Sequence, residues 1–113
     1  MDAEQAELNT LAVHLEHTVP NLVSVERKKA GFFTKLENVI SLKIELEPYA
    51  YVLKLHANKK LSPTREKIVR GIRIKTEEIT IDQWMKEMTE ALDAYAQANK
   101  NIRFAIEDFL FFQ

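Results

Sequence analysis

The sequence predicts a single-domain α+β protein: an N-terminal helix, a three- or four-stranded antiparallel meander and a long C-terminal helix packed on one sheet face. Apolar residues recur with helical spacing at both ends of the chain, and they alternate with polar residues through its middle. The chain has 113 residues, 46% of them hydrophobic, and this length supports one core without disulfides. Residues 1–113 are therefore expected to form one domain.

The N-terminal helix is predicted from Asp2 to Thr18. Its apolar stripe has the i, i+3, i+4, i+7 spacing of an amphipathic helix and consists of Leu8, Leu11, Ala12 and Leu15. Pro20 cannot continue the helix, so the helix is expected to stop before it.

Antiparallel strands are predicted in the middle of the chain. The clearest strand has one aliphatic face, made by Ile40, Leu42, Ile44 and Leu46. A turn at Glu47-Pro48 leads into a second alternating run at 49–56, so the two runs are expected to pair as a hairpin. A shorter strand is expected earlier, at Leu22–Arg27, before a loop at 28–33.

A further run, residues 67–75, follows a polar loop that includes Asn58–Lys60 and Ser62-Pro63. As one strand, it would have Ile68, Arg70, Ile72 and Ile74 on one face and Lys67, Val69, Gly71, Arg73 and Lys75 on the other. Arg70 does not belong on an aliphatic face. We interpret Gly71 as the site of a bulge that turns Arg70 outward.

The C-terminal helix has a clear start signal. Thr80 is the predicted N-cap, Gln83 would complete a capping box, and Ile79 would pack on Trp84 as a hydrophobic staple. A heptad seam follows, and a break or kink is expected at Asn99–Asn101. The seam consists of Ile81, Met85, Met88, Leu92, Tyr95, Asn99, Ile102, Ile106, Phe109 and Gln113.

The second half of this seam is a candidate dimer interface, in which a buried Asn99 would fix the register of two helices. Its residues are Tyr95, Asn99, Ile102, Ile106 and Phe109. The alternative is that these side chains fill a core within one monomer.

The net charge of −1 hides a strong segregation of charge along the chain. Residues 1–20 have four acidic and no Lys or Arg side chains, residues 21–76 have 13 basic against five acidic, and residues 77–113 have eight acidic against three basic. Either the acidic helices neutralise a basic sheet within the monomer, or the strand face turned away from the helices binds an acidic partner or nucleic acid. The second interpretation uses Lys43, Lys54, Lys67, Arg73, Lys75, Arg27, Lys28 and Lys29. Tyr49 and Tyr51 share the aliphatic face, which gives nucleic acid little to stack on.

No catalytic constellation emerges. His14 and His17 lack an identifiable third metal ligand, Gly31 and Gly71 cannot make a glycine-rich phosphate loop, and the chain has no cysteine. We therefore predict no cofactor, no metal site and no enzymatic activity. A hydrolase or lyase that uses His56 near Glu66 is kept as a third hypothesis.

The N-terminus is acidic where a secretory signal is basic, and no segment approaches the roughly 20 apolar residues that span a bilayer. A cytoplasmic protein without a membrane span is predicted.

Residues 66–84 resemble a pattern found in small uncharacterised bacterial proteins. In Glu66–Lys75 a strand with a central glycine leads through Glu77-Glu78 to a helix that carries Trp84. The resemblance implies a bacterial origin and brings no activity, cofactor or functional residue with it. The leading prediction is a non-enzymatic protein–protein interaction or oligomerisation module, expected to be a homodimer. The alternative is binding of nucleic acid or an acidic ligand through a basic sheet face.

Overall fold

Two helices flank a five-stranded sheet in the computed structural model, which describes residues 3–29, 31–32 and 35–98. The strands form one antiparallel sheet in chain order. The elements are α1 (Ala3–Thr18), β1 (Val23–Lys29), β2 (Glu37–Leu46), β3 (Tyr49–Leu55), β4 (Leu61–Val69), β5 (Ile72–Glu78) and α2 (Ile81–Ala98). The predicted α+β class is confirmed, with one more strand than expected.

Both helices bury one stripe against the same sheet face. In α1 the stripe is Gln5, Leu8, Ala12 and Leu15, close to the predicted set, and in α2 it is Trp84, Met88, Leu92 and Ala96. These stripes close over the inward side chains of β2 and β3, namely Val39, Leu42, Ile44, Leu46, Tyr51 and Leu53. The core is therefore a two-layer contact between helices and the middle of the sheet.

The start of α2 is confirmed, but its packing differs from the predicted seam. The Gln83 N–H donates to Thr80 Oγ1 at 3.1 Å, so Thr80 is the N-cap. The buried stripe steps by four residues, which drifts around a helix by about 40° per step, given 3.6 residues per turn. Such a drifting stripe suits a helix that crosses a twisted sheet better than a coiled-coil seam. Four of the predicted dimer-seam residues, Asn99, Ile102, Ile106 and Phe109, lie outside the described residues.

A bulge in β2 changes which side chains reach the core. Glu26 pairs with Ser41, whereas the next residue of β1, Arg27, pairs with Val39. Ile40 is the extra residue, so the alternation reverses there. Val39 is buried and Ile40 is only partly buried. The prediction that Ile40 belongs to the aliphatic face with Leu42 was therefore wrong.

The predicted single strand at 67–75 was also wrong, because the chain reverses at Arg70-Gly71. Both residues have positive φ, 53° and 80°, and Val69 pairs with Ile72 across this two-residue turn. Positive φ at both central positions is the type I′ geometry that joins twisted antiparallel strands. Arg70 is a solvent-exposed turn residue, which removes the anomaly of an arginine on an aliphatic face.

Pro63 lies within β4, which has a neighbour on each side, although Ser62-Pro63 was predicted to be part of a loop. The Ile79 N–H donates to the Pro63 carbonyl at 3.2 Å. In an antiparallel strand the N–H and C=O of one residue point to the same side. The missing N–H of Pro63 thus faces the end of β5, and no bond to β3 is lost.

Two carboxamides of α1 take the place of a strand neighbour for β2. Val39 lies beyond the last pair of β2 with β3, which joins Ser41 and Lys54. Gln5 Nε2 donates to the Val39 carbonyl at 2.8 Å, and the Val39 N–H donates to Asn9 Oδ1 at 2.9 Å. Gln5 Nε2 also donates to Asn9 Oδ1 at 2.9 Å. These bonds hold α1 in register on the sheet.

Replacing Asn9 with Leu should lower the free energy of unfolding by about 1–3 kcal/mol, because the Val39 N–H loses its acceptor in a buried place. The control is Thr10→Ala, whose exposed hydroxyl donates only to the Ala6 carbonyl and whose loss should change stability by no more than about 0.5 kcal/mol. Urea denaturation followed by circular dichroism measures both. Equal stability of the Asn9→Leu variant and the parent would contradict this role.

Candidate interaction surface

Arg65 joins β4, β5 and α2 on the helix-facing side of the sheet. Its Nη1 donates to Glu87 Oε1 and Oε2 at 2.7 and 2.8 Å, and its Nη2 donates to Glu77 Oε2 at 3.0 Å. The guanidinium also lies 5.3 Å from the centroid of the Tyr49 ring. One guanidinium nitrogen thus contacts both oxygens of Glu87 and the other contacts Glu77, which gives the cluster a defined shape; sequence spacing did not reveal it.

Electrostatics in this cluster favour the charged forms of its members. The hydrogen bond to Glu87 raises the pKa of Arg65. Burial acts to raise the pKa of Glu87, but hydrogen bonds from Arg65 and Gln83 outweigh it, and the net pKa is lowered. Burial raises the pKa of the neighbouring Tyr51 to about 12. The Tyr51 ring meets Trp84 edge-on at 6.4 Å, so the ionic cluster adjoins the aromatic centre of the core.

The predicted basic residues do not lie on one face. Lys67 pairs with Tyr49 and with Lys75, and the same strand face carries Arg65, which binds α2. Lys67 and Lys75 therefore lie on the helix-facing side, contrary to the prediction. The reason is the turn at Arg70-Gly71, together with a bulge at Ile74 that reverses the alternation in β5.

The residues that do lie on the open face are largely engaged with acids. Lys43 Nζ lies 3.6 Å from carboxylate oxygens of both Glu45 and Glu66, and Arg73 Nη1 lies 3.4 Å from Glu66 Oε2. Glu66 is buried, and so are Ala50, Val52 and Ile68 on the same face. The centre of the open face is thus a charge-balanced patch over small and aliphatic side chains.

The remaining predicted basic residues are dispersed. Arg27 faces the helices and forms a two-bond ion pair with Glu16 of α1. Lys28 and Lys29 are exposed at the end of β1, and Lys54 is exposed near the end of β3. Together these positions make no continuous basic surface.

The β4–β5 hairpin carries the feature that sequence reasoning missed. Val69, Ile72 and Ile74 are 42%, 65% and 56% exposed, and we call them the hairpin patch. Tyr49, which pairs with Lys67, is the first residue of β3, so the hairpin extends past its neighbouring strand. Recognition of Arg70-Gly71 as a two-residue turn was the signal that would have located this patch.

Other candidate features are less distinctive. Tyr95, the one described residue of the predicted dimer seam, is half-buried and packs against the core. A cleft of about 450 Å³ lies between α1 and α2, with Leu11, Ile81 and Met85 in its walls. A second cleft, of about 670 Å³, lies beside Tyr95 and the β2–β3 turn.

The third hypothesis needs His56 close to Glu66, and the register separates them. Leu55 pairs with Leu61, and Glu66 lies five residues further along β4, or about 17 Å at 3.4 Å per residue. His56 itself is exposed. Within the described ranges, no group of three or more His, Cys, Asp or Glu side chains is placed to hold a metal ion. Neither described helix combines the length and apolar character needed to cross a membrane.

Replacing Glu87 with Gln should lower the free energy of unfolding at neutral pH by about 1.5–3 kcal/mol, the contribution of a hydrogen bond to a charged group. Because the pKa of Glu87 is lowered in the folded state, its contribution is present above the unfolded-state pKa of about 4.3. It is lost as the pH falls through the lower folded-state pKa. The stability gap between parent and variant should therefore close on acidification. Urea unfolding at a series of pH values measures the difference in stability between parent and variant. Glu90→Gln, on the exposed side of α2, is the control. A difference that stays constant with pH would refute the contribution of the Glu87 carboxylate.

Searches of protein-family models, characterised proteins and solved structures found no match to this chain. The resemblance of residues 66–84 to bacterial proteins thus stays a prediction.

Proposed function

We propose that this chain is a non-enzymatic interaction module that associates through its β4–β5 hairpin and forms a homodimer. The observation that carries the proposal is the hairpin patch. Isolated exposed aliphatic residues are common on protein surfaces, whereas a contiguous group on a projecting element is typical of an interface. Val69 and Ile72 are direct cross-strand neighbours, and Ile74 is the bulge residue two positions further along β5.

The surroundings of the patch support an interface. In the sequence of β5, Arg73 lies between Ile72 and Ile74, and Lys75 follows Ile74. Arg70 lies in the turn at the end of the hairpin. An apolar centre with charged residues at its edge is the usual composition of a protein–protein contact. The patch also lies outside the core, since no described side chain of β5 belongs to the core cluster. Its apolar residues are therefore not needed to hold the two layers together.

The alternative, binding of nucleic acid or an acidic ligand, has weaker support. Of the eight basic residues proposed for it, Lys43 and Arg73 are close to Glu66, Arg27 binds Glu16, and Lys67 and Lys75 face the other side. Strong, salt-sensitive retention on heparin would favour this alternative, because phosphate contacts weaken steeply as salt rises.

The double variant Val69→Thr with Ile72→Thr should weaken association about tenfold or more, a loss of about 1.4 kcal/mol or more. Threonine keeps the β-branched shape that suits a strand but removes apolar contact area. Val13→Thr is the matched control, because Val13 is 48% exposed on α1, away from the hairpin. Sedimentation equilibrium measures self-association, and capture from a lysate of the native host measures association with other proteins.

Association of any kind that is unchanged in the double variant would show that the hairpin is not the interface. A chain that neither self-associates at high micromolar concentration nor captures a protein in a hairpin-dependent manner would refute the proposed function altogether. Thermal melts of all variants confirm that they are folded.

A further inference from the structure

Among the described residues, β5 is the last strand on its side of the sheet, and half of its main-chain groups point away from β4. The Ile79 N–H donates to the Pro63 carbonyl of β4. Because main-chain groups alternate in direction along an antiparallel strand, Glu77 and Lys75 also point toward β4. Thr76 and Glu78 point away from the sheet. Thr76 is therefore an edge residue with an outward N–H and C=O, near the middle of an exposed strand.

The side chains around Thr76 are self-complementary. Lys75 and Glu77 share the helix-facing side, as their pairing with Lys67 and Arg65 shows. If a second β5 pairs antiparallel about a two-fold axis at Thr76, Lys75 lies opposite Glu77 of the second copy, and Glu77 lies opposite its Lys75. Both cross-strand pairs then join opposite charges, which stabilises a sheet. An axis at Lys75 or at Glu77 would instead place like charges opposite each other.

We propose that β5 pairs with β5 of a second copy about a two-fold axis at Thr76, which joins two sheets into one of ten strands. This inference rests on the proposed function and specifies its partner and its register. A two-fold contact of one surface with itself is the commonest way for a protein to form a dimer. The paired edges also satisfy the main-chain groups that each monomer leaves exposed.

The register brings the exposed apolar residues of the two copies together. With the axis at Thr76 and Ile74 as the extra residue of the bulge, Ile72 lies opposite Ile79 of the second copy, just before the start of its α2. Ile81 begins α2 and is 40% exposed. Ile72 of one copy therefore approaches Ile81 of the other on the helix-facing side, so the hairpin patch and the start of α2 would cover each other.

The charges at the axis form one cluster. In the single chain Lys75 Nζ already lies 3.4 Å from Glu77 Oε1, and Glu77 accepts a hydrogen bond from Arg65. Edge pairing adds the second Lys75 and Glu77 to this group. The ammonium groups then have two carboxylates within reach, which strengthens the arrangement relative to an isolated surface pair.

Charge reversal tests the register directly. The variants Lys75→Glu and Glu77→Lys each place like charges opposite each other, so each should weaken self-association about tenfold or more. In an equimolar mixture every cross-strand pair is again opposite in charge. The mixture should therefore form a heterodimer, which native mass spectrometry identifies by mass. Lys67→Glu, on the same face one strand further in, is the control and should leave the dimer intact.

Glu77→Lys also removes the ion pair between Glu77 and Arg65. A second variant tests the main-chain pairing without changing that ion pair. Thr76→Pro removes the outward N–H at the axis, and proline is tolerated where an edge N–H faces solvent. This variant should fold, as circular dichroism would report, and should be a monomer in sedimentation equilibrium.

The possible outcomes separate this inference from the proposed function. A parent dimer that Thr76→Pro and the charge reversals leave unchanged would overturn the β5 register, while loss of that dimer in the Val69/Ile72 variant would still support the hairpin as an interface. A monomeric parent that captures a different protein through the hairpin would overturn the second copy as partner and the homodimer, and would leave the hairpin standing as an interaction surface. Failure of the mixed charge variants to associate would overturn the proposed axis.

Discussion

The structure depends on the burial of Trp84 between α2 and β3. Its side chain has no solvent exposure and meets Tyr51 edge-on at 6.4 Å, and truncation of a buried aromatic of this size costs about 3–5 kcal/mol in typical cores. This contact fixes where α2 crosses the sheet. The N-cap at Thr80 determines the residue at which the helix begins, and together the two features place Glu87 against Arg65. The ionic cluster on the helix-facing side is thus a consequence of the position of Trp84.

With Trp84 in this position, β5 has a weaker connection to the core than the other strands. The core side chains come from both helices, from β2 and β3 and from parts of β1 and β4, and no described β5 residue is among them. β5 is held by its ladder with β4 and by the bond from Arg65 to Glu77. A strand held in this way can keep its outer edge free without loss of core stability. Within the part of the chain that the structure describes, the β5 edge is therefore not constrained by packing in the core, and the β4–β5 hairpin carries the exposed aliphatic side chains Val69, Ile72 and Ile74.

Local signals made α1, the β2–β3 hairpin and the start of α2 predictable, because capping residues, a proline turn and helical spacing act within a few residues. The missed features depend on distant contacts. The bulge at Ile40 occurs where Gln5 and Asn9 of α1 bind Val39. Pro63 is acceptable in β4 because β5 ends opposite it.

The turn at Arg70-Gly71 was missed because its first residue is not glycine, although it has positive φ. The apolar alternation of Ile68, Ile72 and Ile74 continues across the turn, and this regular pattern concealed the chain reversal. Once that turn was missed, Lys67 and Lys75 were assigned to the wrong face, and the hairpin patch was divided between two faces of a strand that does not exist.

The division of charge along the sequence becomes an interaction between layers in the fold. Acidic residues of the helices meet basic residues of the sheet, as in the pairs of Glu16 with Arg27 and of Glu87 with Arg65. In these two contacts the acidic helices neutralise basic residues of the sheet within the monomer.

The charges of β5 are arranged differently, because Arg73 and Lys75 precede Glu77 and Glu78 within one strand. Reversal of the direction of such a strand places its basic half against its acidic half, so a second copy in antiparallel orientation is complementary to it, whereas a parallel copy is not. An edge strand that carried charges of one sign would repel a copy of itself, because like charges directly opposite each other destabilise a sheet. The mixed order of charges in β5 therefore favours a specific antiparallel contact over simple protection of the edge.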